Sequence, residues 1–194
     1  RANEIVTFKT ANFIGEPLQY VSRGTRETVP EQIETLNSFM MSENKASKDM
    51  QLAYWMFTAG TGYRLALRDK AERFMDGELF DEAPFEIYTL DPRTSFVVRR
   101  NDVSRRVLMG VACTFPREGQ AEYTVYTADQ TFYATGSGLT ADALDEARTV
   151  TLHFGMGPIV EYPCNPLRMG AFEIVIDLLD AISLAESNRL DGVE

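Results

Sequence analysis

His153 is the chain's only histidine, and so the only side chain whose unperturbed titration falls near neutral pH. One imidazole excludes a His-rich metal site and leaves a Ser-His-Asp or Cys-His arrangement with a single possible base. It stands between Leu152 and Phe154 in a stretch with strand character, and there it reads as a satisfied structural residue. Cys113 and Cys164 are the only cysteines and lack CxxC spacing, so they read as buried thiols in a reducing compartment. Gly60-Thr61-Gly62 follows a helical stretch and lacks the later glycine and lysine of a phosphate loop. Gly136-Ser137-Gly138 follows a strand but leads into polar turn residues, so both read as turns. Asp142 with Asp145 and Glu146 offers paired carboxylates, but no motif fixes their geometry. These residues anchor no catalytic site, cofactor or metal.

Charge says more. With 29 acidic and 19 basic residues the net charge is -10, which argues against the broad phosphate grip that nonspecific DNA binding needs. Against that background Arg99, Arg100, Arg105 and Arg106 flank a turn at 101–104 and concentrate four cations on one hairpin. Guanidinium groups so placed suit an acidic surface of a neighbouring subunit or a phosphate, and otherwise form a solvated tip. A second cluster, Glu173, Asp177 and Asp180, falls at steps of four and three and forms one acidic stripe on a helix.

The elements that carry these groups follow from hydrophobic period. Ile5, Phe8, Asn12 and Phe13-Ile14 mark a first helix, stopped by Gly15 as a left-handed cap and by Pro17. Leu18 and Tyr20 suggest a short strand. Thr28 to Glu31 has capping-box spacing before an apolar face of Ile33, Leu36, Phe39 and Met40. Ser47 can cap a third helix in which Met50, Ala53, Tyr54 and Phe57 recur at three- and four-residue steps, until Gly60 and Gly62 break it. From Tyr63 the period becomes two, with further strands expected at 85–90, 95–99, 106–115, 121–127, 131–135, 149–154 and 159–162. After Pro163 and Pro166 a helix over 169–188 has apolar residues nearly all round, which predicts burial on several sides. The fold class is α+β: N-terminal helices over 1–60, a central antiparallel sheet over 61–163, and a long C-terminal helix from 164 to 194.

With a hydrophobic share of 44% and charged share of 25% the composition is globular, and no apolar run approaches the roughly 20 residues that span a bilayer. The first residues form no signal peptide, and both ends read as cut within helices.

Five segments stand in order: Phe13-Ile14-Gly15-Glu16-Pro17, Gly60-Thr61-Gly62-Tyr63, Leu90-Asp91-Pro92-Arg93 with Phe96-Val97, Tyr126-Thr127, and Gly157-Pro158-Ile159-Val160-Glu161-Tyr162 with Asn165. Together they resemble the portal proteins of tailed double-stranded DNA phages, particularly siphophage head-to-tail connectors. Phe172-Glu173, Val175-Ile176, Leu178, Asp180-Ala181, Ser187, Arg189 and Glu194 extend the likeness nearly to the end, with Asn188 and Gly192 replacing acids usual there.

The resemblance implies a wing-region fragment of a structural, non-enzymatic subunit, with stem, clip, tunnel loop and crown beyond Glu194. It also implies a homo-oligomeric ring, usually a dodecamer, at one capsid vertex of a phage or prophage virion, assembled in the host cytoplasm. Its partners would be terminase, capsid and head-completion proteins, with double-stranded DNA passing through without sequence-specific binding. On this reading the Glu173, Asp177 and Asp180 stripe faces the channel or solvent. The competing classes are an α+β ligand-binding or interaction module, and an enzyme with a carboxylate pair in a cleft.

Overall fold

In the computed structural model, residues 1–22, 29–68, 83–117, 119–139, 145, 149–151 and 156–191 are described. Three helices come first: α1 (Ala2–Phe13), α2 (Val29–Ser42) and α3 (Lys45–Ala59). Among the described residues the strands that follow are β1 (Thr61–Arg68), β2 (Phe85–Leu90), β3 (Ser95–Arg99), β4 (Val107–Arg117), β5 (Gln120–Tyr126), β6 (Gln130–Gly136), β7 (Val150–Thr151) and β8 (Ile159–Pro163). A 3-10 turn at Glu173–Val175 then leads into α4 (Ile176–Asp191). The class is α+β, as the change of period predicts.

All strand pairs among the described residues are antiparallel, but they form two sheets rather than one. One has the order β2-β1-β8 and the other β3-β4-β5-β6-β7. The chain returns β8 to the free edge of β1, pairing Tyr63 with Glu161 and Leu65 with Ile159. Tyr63, Leu65 and Ile159 form the core where the sheets meet, with Leu67, Leu90, Val97 and Tyr126 packed against it. Gly110 admits this contact, because a Cβ there would lie 2.6 Å from Ile159 Cβ.

The helices depart from the expected faces. α1 buries Val6 and Thr10 while Phe8 is exposed, and at its end Phe13 meets Phe57 edge-on at 5.6 Å. Its end is closed by Ile14 at φ -128°, whose N–H donates to Thr10 O, so Gly15 is not a left-handed cap. Residues 17–22 form no strand. The Asn37 side chain supplies the strand-like partner instead, accepting from Tyr20 N–H at 3.0 Å and donating to Tyr20 O at 2.9 Å. In α2, Ile33, Leu36, Phe39 and Met40 are half-buried, while Thr28 lies outside the described residues. α3 starts at Lys45, two residues before the expected Ser47 cap, behind Asn44 in the left-handed region. It buries Lys45, Asp49, Leu52 and Ala53, leaving Met50 and Tyr54 exposed. The shift has an electrostatic cause: Lys45 and Asp49 pair on the inner face with Arg64 of β1.

The last helix begins at Ile176 instead of 169, because 164–171 is held as a loop on the end of α3. Cys164 N–H donates to Gly60 O, Ala171 N–H donates to Phe57 O at 2.7 Å, and Asn165 bonds the backbone of Leu167 and Met169. The expected burial of this helix on several sides is also wrong: Ile174, Leu178 and Leu184 are 78%, 60% and 63% exposed.

Candidate assembly site

The β3–β4 hairpin carries the four arginines, and its tip is built by Asp102. Asp102 Oδ1 accepts from Ser104 N–H at 2.9 Å, Ser104 Oγ at 2.6 Å and Arg105 N–H at 3.2 Å. This places Val103 fully in solvent and Arg105 in the left-handed region at φ 48°. The four cations then separate into different roles. Arg99 turns back, donating to Glu161 Oε2 at 2.6 and 3.1 Å and to Arg105 O at 3.1 Å. Arg100 pairs with Asp102 at 3.2 Å. Arg105 and Arg106 are exposed, and their side chains have no hydrogen-bond or ion-pair partner among the described residues.

Glu161 is the junction that sequence reading missed. Its side chain is only 3% exposed and receives Arg168 (Nε to Oε1, 2.7 Å) as well as Arg99. One carboxylate thus joins β3 of one sheet, β8 of the other and the loop before α4. The signal was present, since Glu161 shares strand parity with buried Ile159, and an acid on the inward parity of a strand requires partners. Burial pushes its pKa up, but the hydrogen bonds from Arg168 and Arg99 outweigh burial and hold it below the ordinary glutamate range. A lowered folded pKa stabilises the chain above the unfolded value, and that contribution is lost as pH falls through the folded one. Glu161→Gln is therefore expected to lose about 2 kcal/mol at neutral pH, below the full value for a buried pair because both arginines are partly exposed. Urea unfolding should show the gap to the wild type narrowing as pH falls below the carboxylate range; a gap constant with pH contradicts this.

A second charged cluster lies under the helices. Asp49 binds Lys45 and accepts from Arg64 Nη1 at 2.6 Å, while Lys48 O accepts from Arg64 Nη2 at 3.0 Å and Thr89 Oγ1 at 2.9 Å. It borders a cavity of about 310 Å³ lined otherwise by Phe13, Leu18, Met40 and Leu52 among others. Asp49 is the one carboxylate among the described lining residues and is already held by two cations, so no acid pair converges there.

Of the remaining chemistry, His153, Asp142 and Glu146 lie outside the described residues. Cys113 and Cys164 are half-buried free thiols, and burial pushes the Cys113 thiol up in pKa. Among the described residues no group of histidine, cysteine and acid side chains could hold a metal ion, and no helix is long and apolar enough to cross a membrane. Asp91 caps its own turn, accepting from Arg93 N–H at 2.9 Å, and the Arg93 guanidinium sits 5.4 Å from the Trp55 ring centre. The Arg93 hydrogen bonds hold Asp91 below its usual pKa.

In the acidic stripe, Glu173 lies half-buried in the 3-10 turn, whereas Asp177 and Asp180 are exposed on α4 with no ion-pair partner among the described residues. Leu184 follows Asp177 by seven residues and Asp180 by four, so all three share a helix face. Asp180 stands at the rim of a hollow that Ile176, Leu179 and Ser183 of α4 line together with Arg1, Ala2 and Phe172.

A buried acid thus ties the two sheets together, and α4 leaves Leu178 and Leu184 uncovered. The family model for phage portal proteins of the SPP1 Gp6-like type matches residues 2–194. The chain belongs to that portal family. No curated protein matches it. Membership gives this portal chain a structural role in the phage portal at the capsid vertex, in a family of oligomeric rings with phage head partners rather than of enzymes.

Proposed function

We propose that this chain forms the wing of a portal subunit, in a ring that is the channel for DNA packaging and ejection and the head-tail joining site. The full-length protein closes, on this reading, as a dodecamer that meets terminase during packaging and head-completion proteins afterwards. The observation that carries the reading is uncovered apolar surface on the 3-10 turn and α4, where Ile174, Leu178 and Leu184 are each more than half exposed. Exposed apolar surface of this kind marks an interaction site, and a neighbouring subunit removes its cost. Charge supports a conduit too: at -10 the chain repels phosphate, so sliding DNA meets few sites at which to pause. The test is the solution mass of the whole portal subunit, where a closed ring supports the reading and a persistent monomer does not.

A further inference from the structure

Two surfaces of this chain complement each other without meeting. The hairpin tip presents Val103, fully exposed, beside the unpartnered cations Arg105 and Arg106. One face of α4 presents Leu184, 63% exposed, beside the exposed anions Asp177 and Asp180. One is an exposed valine with positive flanks, the other an exposed leucine with negative flanks. They lie on different elements, and no hydrogen bond or ion pair joins them among the described residues. A patch whose complement lies elsewhere on the same molecule makes a head-to-tail contact, which repeats from copy to copy and closes into a ring when the rotation allows.

We infer that the β3–β4 hairpin tip of one copy docks on the Asp177–Asp180–Leu184 face of α4 in the next copy. This rests on the portal reading and names the surfaces that the ring would use. Nucleic acid is the weaker occupant for the tip, because Arg99 is committed to Glu161 and Arg100 to Asp102. Two cations on a chain of net charge -10 are few for a phosphate grip. An acidic, partly apolar helix offers both the charge and the surface that the tip lacks. The stripe is thereby assigned to a neighbour rather than to the channel.

The test uses the whole portal subunit, with assembly followed by light scattering across a concentration series. Arg105→Glu with Arg106→Glu is expected to raise the half-assembly concentration about tenfold or more, since reversed charges at an interface become repulsive. Asp177→Lys with Asp180→Lys should do the same, and the combined variant should return to within about threefold of the wild type because its pairs are restored. All these positions are exposed, so folding is not at risk. As an independent readout, Val103→Cys with Leu184→Cys should give a ladder of covalent multimers on oxidation, which requires Cα atoms within about 7 Å. If a wild-type ring forms, but both reversals assemble normally or the ladder is absent, the inference fails while the portal reading stands. If the hairpin reversal lowers DNA binding and leaves assembly unchanged, the tip serves nucleic acid and the inference is again overturned. A wild type that never assembles removes both.

Discussion

Asp49→Ala is expected to cost about 3–5 kcal/mol of folding stability, the range for removing one partner of a buried ion pair. Asp49 holds Lys45 and Arg64, and their side chains are only 6%, 11% and 11% exposed respectively. Alanine removes the carboxylate that both cations share, and with it one of the two bonds by which Arg64 of β1 holds α3, the other being to Lys48 O. The penalty comes from stranded charge rather than from the pair's own net worth, and this gives a sharper test. Lys45→Met, Asp49→Leu and Arg64→Met together remove the charges and fill the space with apolar atoms, so the triple variant should recover most of the loss. Urea unfolding measures both. A single variant within about 1 kcal/mol of the wild type, or a triple variant worse than the single, would contradict the assignment.

Gly60→Ala is the second large effect. Gly60 ends α3 at φ +77°, where an L side chain costs about 1–2 kcal/mol. A Cβ there would also stand 1.9 Å from Arg168 O and 2.9 Å from the Met169 carbonyl carbon. Backbone cannot rotate away as a side chain can, so the 164–171 loop must lift, straining the bonds that Cys164 and Ala171 make to the end of α3. We expect a total loss of about 3 kcal/mol or more. Gly119→Ala is the control: its φ is +75°, but a Cβ there meets no heavy atom within 4 Å, so it should lose only about 1 kcal/mol. Equal losses at the two glycines would show that backbone conformation alone matters and that the loop contact does not.

Local rules found most of the elements. Strand alternation located β2 and β3 at their observed limits and β1, β4, β5, β6 and β8 within one or two residues, because side-chain period is a property of neighbouring residues alone; of the strand expected at 149–154, β7 covers 150–151 and 152–154 lies outside the described residues. What failed depends on contacts remote in sequence. The return of β8 to β1 splits the expected single sheet in two, and no local period encodes that pairing. On α3 the periodic set was half right: Ala53 is buried and Phe57 half-buried, but Met50 and Tyr54 are exposed, because Lys45 and Asp49, which look solvated in sequence, join the inner face through Arg64. The delayed start of α4 follows from hydrogen bonds between 164–171 and Phe57 or Gly60, equally remote. At the candidate site the arginine cluster was legible as charge, but its division was not. Arg99 belongs to Glu161, and only the fold reveals that Arg105 and Arg106 are left without partners among the described residues.

The central claim, a structural subunit of a portal ring, is tested most directly by the mass in solution of the whole portal subunit. Light scattering over a series of concentrations and salts should give one species of about a dozen copies, a closed cyclic assembly rather than an open polymer. A monomer under every condition, or a mass that grows continuously with concentration, would contradict the account.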